Sequence, residues 1–130
     1  MKCLDTDLLI AILRGKQDSW KQVEDIDRES RGATASINAF EVFFGANKSE
    51  RKNENLKKTN RLLERLTVFP LKLSSSRKAA EISSELSTKG ESIDFRDAMI
   101  AAIAIENNLT LVTRNKSHFK RIRTLQTETW

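Results

Sequence analysis

The chain has one cysteine, one histidine, one proline and four glycines among its 130 residues. With Cys3 alone, no internal disulfide can form, which fits a reducing, cytoplasmic setting. Cys3 reads as a small buried strand residue. A single histidine, His118, and a single cysteine provide no zinc-spaced Cys/His cluster. The few glycines form no phosphate-binding loop, and no serine sits in a nucleophile elbow. The longest wholly apolar run, residues 98–105, is too short to span a bilayer, so no membrane association is expected. Asp5 and Asp7 interrupt any apolar segment at the start, so a signal peptide is not expected either.

What remains is a charged, basic, globular composition. Charged residues are 32% and hydrophobic ones 38%, which excludes a disordered tail. A single domain over residues 1–130 is long enough to bury a core. Net charge is +5, which points to an anionic partner. Residues 2–4 read as a short strand, and the apolar run at 8–13 as a helix. Residues 18–31 form an amphipathic helix with Trp20, Val23 and Ile26 inward and Gly32 as its stop. Residues 33–35 form a strand. Ser36 caps a helix whose stripe is Ile37, Phe40, Phe43 and Phe44. Residues 47–66 make a long charged helix. A strand at 67–69 is ended by Pro70, and a helix follows at 74–88. A largely buried helix then carries Asp97 in its first turn and ends at Asn107-Asn108. Residues 109–112 are a buried strand, and residues 122–126 an edge strand.

This alternation predicts a three-layer α/β/α fold around a central, mainly parallel sheet with right-handed crossovers. Ligands bind such sheets at the carboxyl ends of the strands. Asp5 and Asn115 fall at those ends. Glu41 and Asp97 fall in the first turns of helices at the same edge. Asp5 taken alone is also a good helix cap, a need Thr6 or Asp7 could meet. Glu41, beside three phenylalanines, needs a cation or a metal unless it points to solvent. His118 can act as a base, or simply as a surface hydrogen-bonding residue. Separate caps need no convergence, but three acids and an amide at one edge do. Clustered carboxylates stay ionised only with a compensating cation, and hard ions such as Mg²⁺ or Mn²⁺ prefer oxygen donors. With Lys116, Lys120 and Arg121 on a basic rim, phosphodiester hydrolysis is the natural reaction class.

Four pieces also carry a family likeness. They are LDTDLLI at the start, Ala39-Phe40-Glu41, Asp97-Ala98-Met99-Ile100-Ala101-Ala102, and Leu111-Val112-Thr113-Arg114-Asn115 with Phe119. Together they resemble the PIN-domain family, and most closely its VapC ribonuclease toxins from toxin–antitoxin pairs. The likeness implies a Mg²⁺- or Mn²⁺-dependent endoribonuclease, dimeric and held inactive by a VapB-type antitoxin. It implies Asp5 and Asp97 as principal metal ligands, with Glu41 as a third, direct or through water. Asn115 stands where many relatives have a fourth acid, and Asp94 can compensate or cap its helix. Thr6 and Thr113 would support the site by hydrogen bonds. Arg114, with Lys116, Lys120 and Arg121, would contact RNA phosphate. An RNA-processing nuclease without an antitoxin and a catalytically weak RNA-binding module are the alternatives.

Overall fold

The computed structural model describes residues 1–30 and 32–130. Five short strands carry the fold: β1 (Lys2–Leu4), β2 (Gly32–Ala35), β3 (Thr67–Phe69), β4 (Thr110–Val112) and β5 (Thr127–Glu128). Their order is β3-β2-β1-β4-β5, and every neighbouring pair is parallel. The helices are α1 (Thr6–Leu13), α2 (Trp20–Glu29), α3 (Ser36–Lys48), α4 (Lys52–Glu64), α5 (Leu73–Thr88), α6 (Phe95–Glu106) and α7 (Lys116–Phe119).

The pleat sends successive strand residues into opposite layers. Cys3, Ala33 and Leu111 point into a core completed by Ala79, Ile82 and Leu86 of α5 and the alanine-rich α6. Leu4 and Val112, paired in register, point the other way, into a core with Leu8, Leu9, Val42 and Leu62. The centre of the sheet, around β1 and β4, is thus covered on both faces, as the near-continuous apolar residues of these two strands require. Small side chains on α6 let it lie close to the sheet; Ala101, Ala102 and Ala104 are fully buried. Among the described residues, no helix is long and apolar enough to cross a membrane.

Several expectations need correction. The helix expected over residues 47–66 is two: α3 runs on to Lys48, and α4 begins at Lys52. Ser49 breaks it, with its extended backbone and its hydroxyl donating to the Ala46 carbonyl. Asn55 donates to the same Ser49 oxygen and fixes the corner. Ser36 is the first residue of α3 and not its cap; its hydroxyl accepts from the Leu71 N–H. Inward on α3 face Asn38, Val42 and Ala46, while Phe40 and Phe44 are more than half exposed. Trp20 is likewise exposed, leaving Gln22, Val23 and Ile26 to turn inward. α2 ends at Ser30 in left-handed backbone, and the expected helix end at Arg31 lies outside the described residues. Gly32 does not stop α2. It opens β2, where a Cβ would stand 2.6 Å from Ile26 and Leu66 side-chain atoms. Finally, the edge strand is Thr127–Glu128, not residues 122–126. Ile122 and Leu125 are buried in a turn after α7, so their apolar spacing serves the core.

Candidate active site

The chain winds from β1 outward to β2 and β3, then returns to place β4 on the other side of β1. This reversal opens a crevice between the carboxyl ends of β1 and β4. It measures about 420 Å³ and is lined by Asp5, Thr6, Asp7, Glu41, Asp97, Arg114 and Asn115.

Asp5 follows Leu4 directly, and its N–H donates to the Val112 carbonyl, so β1 and β4 hold its backbone. It is also the N-cap of α1, its Oδ1 accepting from Thr6 N–H at 2.9 Å. The cap and the convergence expected of it are both present. Oδ1 accepts a second bond from Asn38 Nδ2 at 3.0 Å, and Oδ2 accepts one from the Thr113 hydroxyl at 2.7 Å. Thr6 donates its hydroxyl to Glu41 Oε1 at 2.9 Å. Glu41 stands in the second turn of α3, one turn later than expected, and it is half-buried.

Asp7 braces the opposite wall. Its Oδ2 accepts from the Arg114 N–H, and its Oδ1 from the Trp130 indole. Thr113 has one hydroxyl proton and two acid neighbours, Asp5 at 2.7 Å and Asp7 at 3.3 Å. The shorter contact holds it, since hydroxyl bonds weaken beyond about 3.0 Å.

The electrostatics are those of acids short of positive charge. Burial pushes Asp5 up to about 6 despite the opposing Thr113 bond, and the nearby Asp7 and Asp97 charges add to it. Burial also raises Asp97, with the Asp94 and Glu41 charges adding and His118 opposing. His118 Nδ1 lies 3.0 Å from the Asn115 amide and 4.0 Å from Asp97. A neutral ring accepts the amide N–H at that nitrogen. The ion pair needs the nitrogen protonated, so the two contacts are alternatives.

These donors are all hard oxygens whose ionisation a cation would favour, which fits Mg²⁺ or Mn²⁺ in type. Among the described residues, no three acidic, histidine or cysteine side chains close around one point. Mg²⁺ does not require that, because it keeps several waters and takes one or two carboxylates.

The other site residues divide. Asp94 caps α6 through Arg96 N–H and pairs with the Arg96 side chain, outside the crevice lining. Arg114 lines the crevice by position, but its guanidinium lies 3.6 Å over the Trp130 ring and bonds Asp18 and the Trp130 carbonyl. Arg121 is bound to the carbonyls of Ser92 and His118. Lys116, which opens α7, and Lys120, just past its end, are exposed and have no ion pair among the described residues.

Two participants were not expected from sequence. Asn38 is fully buried and touches two site residues. Its only sequence signal is an amide at the third position of a helix, three residues before Glu41. From sequence Asp7 is a spare cap and a break in the apolar start, not a site residue. Its position two residues after Asp5 was the available hint.

A second feature adjoins the site. A groove of about 210 Å³ runs between α1, α3 and α4, with Ile10, Leu13, Val42 and Ala46 in its wall and Glu41 at its edge.

A family model described as PIN domain matches residues 2–125. Ribonuclease VapC2 of Rickettsia felis is 34% identical over 128 residues, covering 98% of this chain and 96% of the relative. The tRNA(fMet)-specific endonuclease VapC of Shigella flexneri is 28% identical over 127 residues, with the same coverage. The crystal structure of VapBC2 from Rickettsia felis bound to a promoter DNA fragment superposes with a TM-score of 0.90. That match is 31% identical and covers 99% of this chain and 98% of the other.

Proposed function

The chain belongs to the PIN-domain family, and from that premise we propose that it is a Mg²⁺- or Mn²⁺-dependent endoribonuclease, the toxin of a VapBC-type pair. One observation supports this most: a buried Asp5 and a half-buried Asp97, both resisting ionisation, open onto one crevice at the sheet's switch point. Asp5 and Asp97 would hold the ion, with Glu41 acting through water. When bound, such an ion supplies charge for the phosphoryl oxygens and makes water a competent nucleophile at neutral pH.

The remaining work belongs to the chain. Thr113 holds Asp5 from the β4 side. Thr6 holds one oxygen of Glu41, and the other accepts no hydrogen bond among the described residues. That oxygen is the group best placed to orient an attacking water or take its proton. Asn115 supplies an amide where charge is not needed. Lys116 and Lys120 are the free cations for substrate phosphate, while Arg114 and Arg121 shape the wall that carries them.

The partners are assigned by surface. The apolar groove beside Glu41 is the seat proposed for a VapB-type antitoxin, since a chain lying there would reach the crevice. Phe40 and Phe44 stack with ring centroids 5.9 Å apart on the outside of α3. Exposed aromatic surface of this kind marks a protein contact, and we assign it to a second copy of the chain.

The test is incubation of the purified protein with defined RNAs in Mg²⁺, Mn²⁺ or EDTA, beside an Asp97→Asn control. Internal cleavage that needs the ion and is lost in the control is the expected result. Cleavage undiminished in EDTA or in the control would overturn the proposal.

A further inference from the structure

Asn38 lies on the inward face of α3, in line with Val42 and Ala46. An apolar side chain is the packing default there, and a buried amide costs stability unless every polar atom is bonded. Each of them is. Its Oδ1 accepts from Ala35 N–H at 3.2 Å, closing the first turn of α3. Its Nδ2 donates one hydrogen to Asp5 Oδ1 and the other to Thr6 Oγ1, both at 3.0 Å. Because both N–H groups are in use, the amide has only one orientation.

That orientation sets the direction of the next bond. Thr6 Oγ1 accepts from Asn38, so its own proton is directed to Glu41 Oε1, 2.9 Å away. One side chain therefore fixes an oxygen of Asp5 at the end of β1 and, through Thr6, an oxygen of Glu41 on α3. The two acids are 36 residues apart in sequence. Neither is held in place by its own element alone.

We infer that Asn38 is a positioning residue of this site, acting through its two N–H donors, and that its contact with Ala35 is a separate, structural role. The inference rests on the nuclease reading above. The two roles can be separated chemically. Asn38→Asp keeps an oxygen for Ala35 N–H but has no N–H to donate. Asn38→Leu keeps the volume and loses everything else. Thr6→Val breaks only the path to Glu41.

The experiment measures Mn²⁺ affinity by calorimetry and RNA cleavage at saturating RNA, with a melt in EDTA for each protein. Supporting the packing alone adds nothing to the ion affinity of the folded state, and the melt in EDTA gives the unfolded fraction by which reversible unfolding alone would raise the half-saturating Mn²⁺. Asn38→Leu should raise the Mn²⁺ dissociation constant and lower kcat, each on the order of tenfold or more, and Asn38→Asp, whose added carboxylate beside Asp5 itself attracts the ion, should lower kcat by a similar factor. KM for RNA should stay within about threefold, since the proposed phosphate contacts, Lys116 and Lys120, lie away from Asn38 at the two ends of α7. Thr6→Val should lower kcat, and adding it to Asn38→Leu should cost little more, because both interrupt one chain of bonds. If either Asn38 variant proves too unstable to assay, Thr6→Val and the parent still decide: an unchanged kcat in Thr6→Val overturns the relay. A parent that cleaves RNA with Mn²⁺, alongside Asn38 variants of unaltered affinity and kcat, overturns the inference and leaves the nuclease reading standing. A parent that neither binds Mn²⁺ nor cleaves overturns both.

Discussion

Asp5 is the one acid among the described residues that is buried, and its raised pKa has a definite sign. Burial lifts its carboxyl from 3.8 to about 6. The folded protein therefore binds that proton more tightly than the unfolded chain. The resulting stability is fully present below pH 4 and is lost as pH rises through about 6. At neutral pH without metal, the charge costs up to about 3 kcal/mol. Asp5→Asn should remove that loss: in EDTA its melting temperature should exceed the parent's at pH 7.5 and converge with it near pH 4. A parent curve flat between pH 4 and 7 would contradict this. Polar residues at element ends are legible in sequence: Asp5 is a charge directly after a buried strand, Asn115 an amide shortly after another, and Asp97 an acid in the first turn of a largely apolar helix. Asn38 was not legible. An isolated amide makes no periodic pattern, and the neighbouring phenylalanines suggested the wrong buried face. Their exposure is a property of what α3 packs against, and a single chain's hydrophobic spacing cannot report it.

At the scale of elements, the short α7 and the segment behind it decide which basic residues are available. Arg114 and Arg121 look in sequence just like Lys116 and Lys120, four cations in one loop. Their separation comes from partners contributed by Asp18, Ser92 and Trp130, none of them sequence neighbours. The two pairs should therefore fail differently. Replacing Lys116 and Lys120 by alanine should lower the salt slope of RNA binding by about 1.4, two phosphates at about 0.7 each on a single strand. Melting should change little. Arg114→Ala should instead cost about 1 kcal/mol of stability through its lost stacking on Trp130 and its lost ion pair. Salt titrations and thermal melts on the same preparations separate the two. The fold was legible wherever apolar runs were bounded by turn residues, as in β1, β4 and α6. It failed at Ser49, where one hydroxyl and one amide break a continuous charged stretch, and at β5, where the apolar residues serve a turn and the strand itself is polar.

For the molecule as a whole, an ion that binds only the folded state should stabilise it by about 2.7 kcal/mol at a hundred times its dissociation constant. Mg²⁺ should accordingly raise the parent's melting temperature and move that of Asp97→Asn much less, while in EDTA the variant melts no lower than the parent. A variant that melts well below the parent in EDTA would mark Asp97 as a structural residue. The five-stranded order also bears on how the protein is made. β1 precedes the other four described strands in the chain, yet in the sheet it lies between β2 and β4, and Asp5 is bonded to Thr113, 108 residues later. While the ribosome is still adding α6, Asp5, Glu41 and Asp97 have all been translated, but the wall that holds Asp5 has not. We expect the crevice to be completed in one late step of folding, when β4 docks beside β1 and brings Thr113 to Asp5.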